Sequence, residues 1–171
     1  TMDSPGIREF AAELAKGGRQ AVIWDRPNCG QSDVCLVGAS ESETQAEALI
    51  GLLRALDLGP ALIAGGSGGS RVSMLAAARD PEMCSHLAIW WISGEPIGLM
   101  QLATYYCGEA ASLASQGGME AVLKATSWAE NFAKNPGAKE AILNMNPDHF
   151  IEVMQRWAAA YVPSDITPVP G

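Results

Sequence analysis

The chain has 171 residues, of which 48% are hydrophobic and 18% are charged. This length and composition predict one globular domain with a substantial core, and they exclude an intrinsically disordered chain. The net charge of −8 argues against nucleic acid or an anionic membrane as a partner.

The first elements in chain order are a helix and a strand. The segment from Ser4 to Lys16 is predicted as a helix that Ser4 caps and that Gly17-Gly18 ends. The apolar run Ala21–Trp24 is predicted as a buried strand. Polar residues 25–33 then form a loop.

A second helix follows this loop. Either Ser40 with Glu43 or Ser42 with Gln45 has the spacing of a capping box at its start. Leucines at helical spacing predict one apolar face, and Gly59-Pro60 ends the helix.

Two more predicted strands flank a third helix. Ala61–Ala64 is a short apolar run, a helix then extends to Asp80-Pro81, and Leu87–Ile92 is rich in aromatic and β-branched residues. Apolar strands joined by amphipathic helices predict an α/β fold, with a parallel sheet covered by helices on both faces.

The second half is predicted to be helical from Ile97 to Tyr161, with breaks at Gly117-Gly118, Pro136-Gly137 and Asn146-Pro147. Asn146 is predicted to cap the last helix, which Pro147 begins. The apolar faces of these helices either pack against the rest of the chain or cover a binding cleft. We therefore divide the chain into an α/β core portion (1–95), a helical cap (96–162) and an irregular tail (163–171).

The glycine-rich turn after the second strand is the main candidate for chemistry. Gly65, Ser67 and Gly69 fit G-x-S-x-G between a strand and a helix, the pattern of a nucleophile elbow. A flexible linker would have polar flanks, whereas these flanks are apolar. A phosphate loop would need a following Lys, and a dinucleotide-binding loop would need glycine at Arg71. A tight turn without chemistry remains an alternative.

The order of these motifs resembles the α/β-hydrolase family. Residues Val22 to Asp33 are similar to the family's segment after its fourth strand, and the elbow, a helix ending in Asp-Pro, a strand and a helical region follow in the family's order. The resemblance implies an α/β-hydrolase-like parallel sheet covered by helices with a helical cap insert. It also implies that the N- and C-terminal parts of the family fold are absent from this chain.

The resemblance assigns roles to particular residues. It implies that Ser67 is the nucleophile and that the Gly68 N–H is one oxyanion donor. Gly66, where many relatives have His, is assigned to the substrate-binding surface. Glu95 follows the third predicted strand, where some relatives carry the triad acid; it is otherwise a hinge or cleft carboxylate. The loop 25–33 would be structural.

The expected reaction is hydrolysis of a small, mostly apolar ester, amide or activated ketone through an acyl-enzyme on Ser67. No metal or organic cofactor is expected. The cap supplies these candidate lining residues: Met100, Leu102, Tyr105, Tyr106, Trp128 and Phe132.

The catalytic base is not evident in the sequence. The family's His follows its last strand, so we expect it on a second chain or a missing segment. His86 is predicted at a surface or strand edge, and His149 as a solvated helix residue or a substrate contact. Cys29 and Thr1 are alternative nucleophiles, and a non-catalytic hydrolase-like scaffold or interaction module is the alternative function.

The cysteines indicate a reducing compartment. The four cysteines form no C-x-x-C pair, and with two distant histidines they show no zinc-ligand spacing. No signal peptide is recognisable at the start. We therefore expect a cytoplasmic protein with reduced cysteines.

Overall fold

The computed structural model describes residues 1–92 and 96–161. The helices and strands in these residues are α1 (Ile7–Lys16), α2 (Glu41–Ala55), β1 (Ala61–Gly66), α3 (Gly68–Arg79), β2 (Cys84–Trp90), α4 (Pro96–Ala103), α5 (Glu109–Val122), α6 (Thr126–Lys134), α7 (Pro136–Leu143) and α8 (Pro147–Ala159). A short 3-10 turn, Pro81–Met83, precedes β2, and a π-helical turn, Thr104–Gly108, joins α4 to α5.

Local capping signals determine where several helices begin and break. The Ser40 hydroxyl accepts a hydrogen bond from the Glu43 N–H at 3.2 Å at the start of α2. The Asn146 side chain accepts one from the His149 N–H at 3.0 Å at the start of α8. Helix α5 is interrupted where Gly118 has a φ of 68°. These predicted caps and this predicted break are confirmed.

Helix α1 begins later than predicted. Its first residue is Ile7, and Gly6 before it has a φ of 79°, so the chain enters the helix only after a left-handed residue. The Ser4 hydroxyl lies 3.3 Å from the N-terminal ammonium of Thr1 and does not cap the helix. The predicted Ser4 cap is therefore wrong.

The sheet has one covered face. Strands β1 and β2 are parallel, with Ile63 opposite Leu87 and Gly66 opposite Trp90. Helix α3 packs against both strands and against α2. Along β1, Ile63 is buried whereas Leu62 is 56% exposed, because successive side chains point to opposite faces of a strand.

The predicted fold class is wrong. The described chain is mostly helical and has a sheet of two parallel strands, not an α/β-hydrolase-like parallel sheet covered by helices on both faces. The predicted strand Ala21–Trp24 forms no ladder, although Trp24 packs beside the α2 and α3 core. The predicted burial is also wrong, since none of the four residues is buried and Val22 is 45% exposed. A strand requires a neighbouring backbone to hydrogen-bond, and an apolar run does not supply one.

Two hydrophobic clusters form the interior. The smaller one joins α2, β1 and α3, and includes Ala46, Leu53, Ile63 and Val72. The larger one lies among the helices after residue 96 and is centred on Phe150 and Trp157 on α8. As predicted, residues 96–161 form helices without a strand.

Polar contacts join the loop before α2 to the later helices. The Asn131 amide donates to the Asn28 carbonyl at 2.9 Å, and the Gln31 amide donates to the Lys134 carbonyl at 2.8 Å. The loop is thereby held against α6. Within the described ranges, no helix is long and apolar enough to cross a membrane.

Candidate functional site

Ser67 is in a strained turn between β1 and α3. Its φ is 53° and its ψ is −123°, a region that costs a non-glycine residue about 1–3 kcal/mol. A hydrogen bond to the end of β2 holds the turn, since the Ser67 N–H donates to the Trp90 carbonyl at 3.1 Å. The Ser67 side chain itself is exposed.

Small residues around Ser67 allow strand and helix to approach closely. A Cβ added at Gly65 would overlap the Gly69 carbonyl and lie 2.5 Å from the Ser73 hydroxyl oxygen. The buried Ser70 hydroxyl lies 2.8 Å from the Trp90 carbonyl and 3.1 Å from the Gly65 carbonyl. The turn is therefore tightly packed on its inner side, opposite the exposed Ser67 hydroxyl.

A helix N-terminus and an arginine lie at the residue after the serine. Gly68 is the first residue of α3, so its N–H has no acceptor within the helix and carries part of the positive end of the helix dipole. A Cβ on Gly68 would lie 3.5 Å from Arg26 Nη1. An anionic oxygen formed beside Ser67 would meet this N–H and this guanidinium.

The turn opens into a cavity of about 300 Å³, the lower end of the usual range for ligand pockets. Its walls come from the loop before α2, the start of α2, the Ser67 turn and the later helices. Aromatic side chains from α6, α8 and the segments flanking α5 and α8 line it, namely Tyr106, Trp128, Trp157 and Tyr161. The cavity is therefore largely apolar, with the Ser67 turn on one wall.

Among residues 1–92 and 96–161, one carboxyl group lines this cavity. Glu41 accepts a hydrogen bond from the Asn28 side-chain amide at 3.2 Å. Burial raises the pKa of Glu41 above the ordinary value, while the Asn28 hydrogen bond and the charge of Arg26 act in the opposite direction. Perturbed carboxyl groups of this kind are frequent in functional sites.

The thiol in the cavity is not activated. Cys29 lines the same space, but burial raises the pKa of its thiol despite the nearby Arg26. A nucleophilic cysteine requires the opposite shift, because the thiolate is the reactive form. The structure therefore disfavours Cys29 as the nucleophile.

Arg71 and two tyrosines form the wall next to α8. The Arg71 guanidinium lies 5.4 Å from the centre of the Tyr161 ring and donates to the Ala160 carbonyl at 2.8 Å. The Tyr106 and Tyr161 rings are stacked with their centres 6.3 Å apart. Burial raises the pKa of both tyrosines, so both remain protonated at neutral pH.

The sequence-predicted site residues lie in three kinds of place. Five of the predicted residues line the cavity, namely Ser67, Gly68, Leu102, Tyr106 and Trp128. Others lie outside the cavity wall: Gly66, Met100, Tyr105 and Phe132. Glu95 lies outside the described residues.

The chain's two histidines do not reach the cavity. His86 lies on β2 and His149 in the first turn of α8, and both are exposed. Neither lines the space around Ser67.

The loop 25–33 combines a structural and a cavity-facing role. The Asp25 carboxylate accepts the Met2 N–H at 2.8 Å and the Gln31 N–H at 3.1 Å. Gly30 has a φ of 56°, and a Cβ there would overlap Asp25. The expectation that the loop is structural is confirmed for Asp25 and Gly30, while Arg26 faces the cavity.

The charged residues of the cavity, Arg26, Glu41 and Arg71, and the aromatic Tyr161 are among the lining residues that sequence reasoning missed. The spacing of Arg71, four residues after Ser67, was a usable signal, because residues four apart share a helix face. No local pattern indicates the others, since separate segments bring them together.

Comparisons of the chain with protein-family models, curated proteins and solved structures find no match. The resemblance to the α/β-hydrolases stays a prediction from the order of the motifs. Within residues 1–92 and 96–161, no group of three or more His, Cys, Asp or Glu side chains could hold a metal ion.

Proposed function

We propose that the chain is a serine hydrolase component with Ser67 as its nucleophile. The observation that carries the proposal is the strained Ser67 backbone, with its φ of 53°, at a strand-to-helix turn that opens into a cavity. Backbone strain in a tightly packed turn is frequently associated with function. The resemblance to the α/β-hydrolases, drawn from the motifs, supports the same assignment.

The proposed reaction passes through an acyl-enzyme. The Ser67 oxygen bonds to a carbonyl carbon, the bond to the leaving group breaks, and the leaving group takes the proton that Ser67 loses. Water then cleaves the acyl-enzyme and releases the acid. The Gly68 N–H would bind the oxyanion, and loss of one such donor typically costs about 10²–10³-fold in rate.

The proposed base is a histidine from a second chain or from a segment outside these residues. Neither His86 nor His149 lines the Ser67 cavity, which supports an external source. Glu95 stays a prediction for the acid that orients this histidine.

The proposed substrate is a small, mostly apolar ester, amide or activated ketone. The aromatic lining and the cavity volume of about 300 Å³ support a ligand of this size and polarity. The proposed chemistry requires no metal or organic cofactor. The four free cysteines support our assignment of the protein to the cytoplasm.

The test is covalent labelling by a fluorophosphonate probe. The full chain is isolated under native conditions together with whatever it binds, treated with the probe, and mapped by peptide mass spectrometry. We expect label on Ser67, no label on a Ser67→Ala variant, and unchanged labelling of a Ser42→Ala variant, whose serine also lines the cavity. Equal labelling of the Ser67→Ala variant, or an unlabelled native assembly, would contradict the proposal.

The alternative is a non-catalytic scaffold or interaction module. Exposed apolar side chains at the end of β2 and beyond favour it, with Trp91 80% and Ile92 59% exposed. Such surfaces commonly mark contacts with other proteins. An unlabelled native assembly would favour this alternative.

A further inference from the structure

Two arginines line the Ser67 cavity of an otherwise acidic protein. Arg26 and Arg71 both line the cavity, and among the described residues Glu41 is the only acidic one that lines it. The whole chain has a net charge of −8. A locally cationic cavity in an acidic protein attracts anions and disfavours cations.

Neither arginine is neutralised by a carboxylate in the described ranges. Most of the other arginines have an acidic partner within 4.0 Å, namely Arg8, Arg54, Arg79 and Arg156. Arg26 instead donates to the Gln45 side-chain oxygen at 3.0 Å, and Arg71 to the Ala160 carbonyl at 2.8 Å. Since a guanidinium has five N–H donors, each retains donors for a ligand.

Glu41 does not cancel these charges. Its carboxyl group is hydrogen-bonded to the neutral Asn28 amide and forms no ion pair with Arg26 within the described part of the chain. Burial also raises its pKa, which favours the neutral form. Within the described part of the cavity lining, two positive charges therefore face at most one negative charge.

Both guanidinium groups are held in place before any ligand binds. Gln45 accepts from Arg26 and donates its amide to the Pro27 carbonyl at 3.0 Å. Arg71 lies against the face of Tyr161. Groups that are already ordered lose less conformational entropy on binding.

We propose that the substrate carries a carboxylate that Arg26 and Arg71 bind. The inference rests on the proposed function, because it places the scissile carbonyl of the same molecule at Ser67. The substrate class is then a small, largely apolar ester, amide or ketone with an anionic end. Planar guanidinium groups pair well with carboxylates through parallel hydrogen bonds.

Calorimetry with a matched pair of ligands tests this proposal. Phenylacetate and phenylacetamide have similar size and differ in charge. Binding is measured to the full chain carrying Ser67→Ala, so that no turnover occurs. We expect the carboxylate to bind roughly tenfold to a hundredfold more tightly, as one or two charge-assisted hydrogen bonds predict.

Arginine variants identify the source of this preference. Arg26→Gln and Arg71→Gln should each reduce it about tenfold, and Arg71→Lys, which retains the charge, should reduce it less. Arg19→Gln removes the same charge from an exposed position and should leave the preference unchanged. Circular dichroism checks that each variant is folded; if a Gln variant fails to fold, the matched-ligand comparison still decides.

Three results would overturn the inference. They are equal binding of the two ligands, no binding of either, and a loss of carboxylate preference in Arg19→Gln as large as that in Arg26→Gln and Arg71→Gln. These failures are distinct from failure of the proposed function. Carboxylate binding does not need the Ser67 hydroxyl, whereas fluorophosphonate labelling requires it and needs no carboxylate. The two assays therefore distinguish a failure of the inference from a failure of the proposed function.

Discussion

Replacing Gly65 by alanine tests the tight packing beneath Ser67. The added Cβ would lie 2.5 Å from the Gly69 carbonyl carbon and 2.5 Å from the Ser73 hydroxyl oxygen. Carbon atoms normally approach to about 3.5 Å, so β1 and α3 would have to separate by about 1 Å. The obstacle is backbone, which cannot rotate away as a side chain can.

We expect this substitution to lower the free energy of unfolding by about 1–3 kcal/mol, as overpacking typically does. Urea unfolding followed by circular dichroism measures the effect. With a slope of about 2 kcal/mol/M, a loss of about 2 kcal/mol lowers the urea midpoint by about 1 M.

Gly69→Ala is the matched control because it adds the same methyl group one turn away. A Cβ at Gly69 meets nothing within 4 Å, and Gly69 lies in α3. Alanine there should stabilise the protein by about 0.5–1 kcal/mol through helix propensity. Equal midpoints for the two variants, or an unchanged Gly65→Ala midpoint, would refute the proposed close contact between strand and helix.

Two further substitutions test the charge and the core of the protein. Burial raises the pKa of the Glu41 carboxyl above the ordinary 4.5, although the Asn28 hydrogen bond and the Arg26 charge act in the opposite direction. Glu41 therefore does not lower the free energy of unfolding below pH 4.5, and the amount by which it lowers it grows as the pH rises toward the folded-state pKa. The Glu41→Gln variant should therefore be more stable than wild type above pH 4.5 and not below it. If urea unfolding from pH 4 to 8 gave the same difference in free energy of unfolding at every pH, it would contradict the raised Glu41 pKa. Phe150→Ala, at a fully buried position on α8, should cost about 3–5 kcal/mol. Phe10→Ala, at a position 49% exposed, should cost much less, and equal urea midpoints for the two variants would place Phe150 outside the core.

The candidate site was partly predictable because part of it is local. Ser67 and Gly68 are adjacent in the chain, and their glycine neighbours already predict a sharp turn. Arg26 and Glu41 were not predictable, because they reach the cavity only when the loop before α2 packs on α2. The hydrogen bond from Arg26 to Gln45 is part of this packing. No spacing pattern connects them to Ser67.

The aromatic wall of the cavity was also only partly predictable from the sequence. Helical spacing cannot say which aromatic residues of the later helices face a cavity and which face each other. Trp128 lines the cavity, whereas Phe132, one turn later on α6, stacks on Trp128 with ring centres 5.7 Å apart and faces the core. Because residues four apart share one face of a helix, the level of each residue along the α6 axis decides between the two positions.

The sequence by itself predicted the helices other than the start of α1, the cap at Asn146 and the turn at Ser67, and it narrowed the α2 cap to Ser40 or Ser42, because these features depend on hydrogen bonds and sterics within a few residues. Only the tertiary structure decided that Ala21–Trp24 remains outside the sheet and that Arg71 reaches the end of α8, 89 positions away. Strand pairing and cavity walls are made by segments distant in the chain, and a hydrophobic pattern indicates which residues can be buried but not whether a partner covers them, as the 45% exposure of Val22 shows.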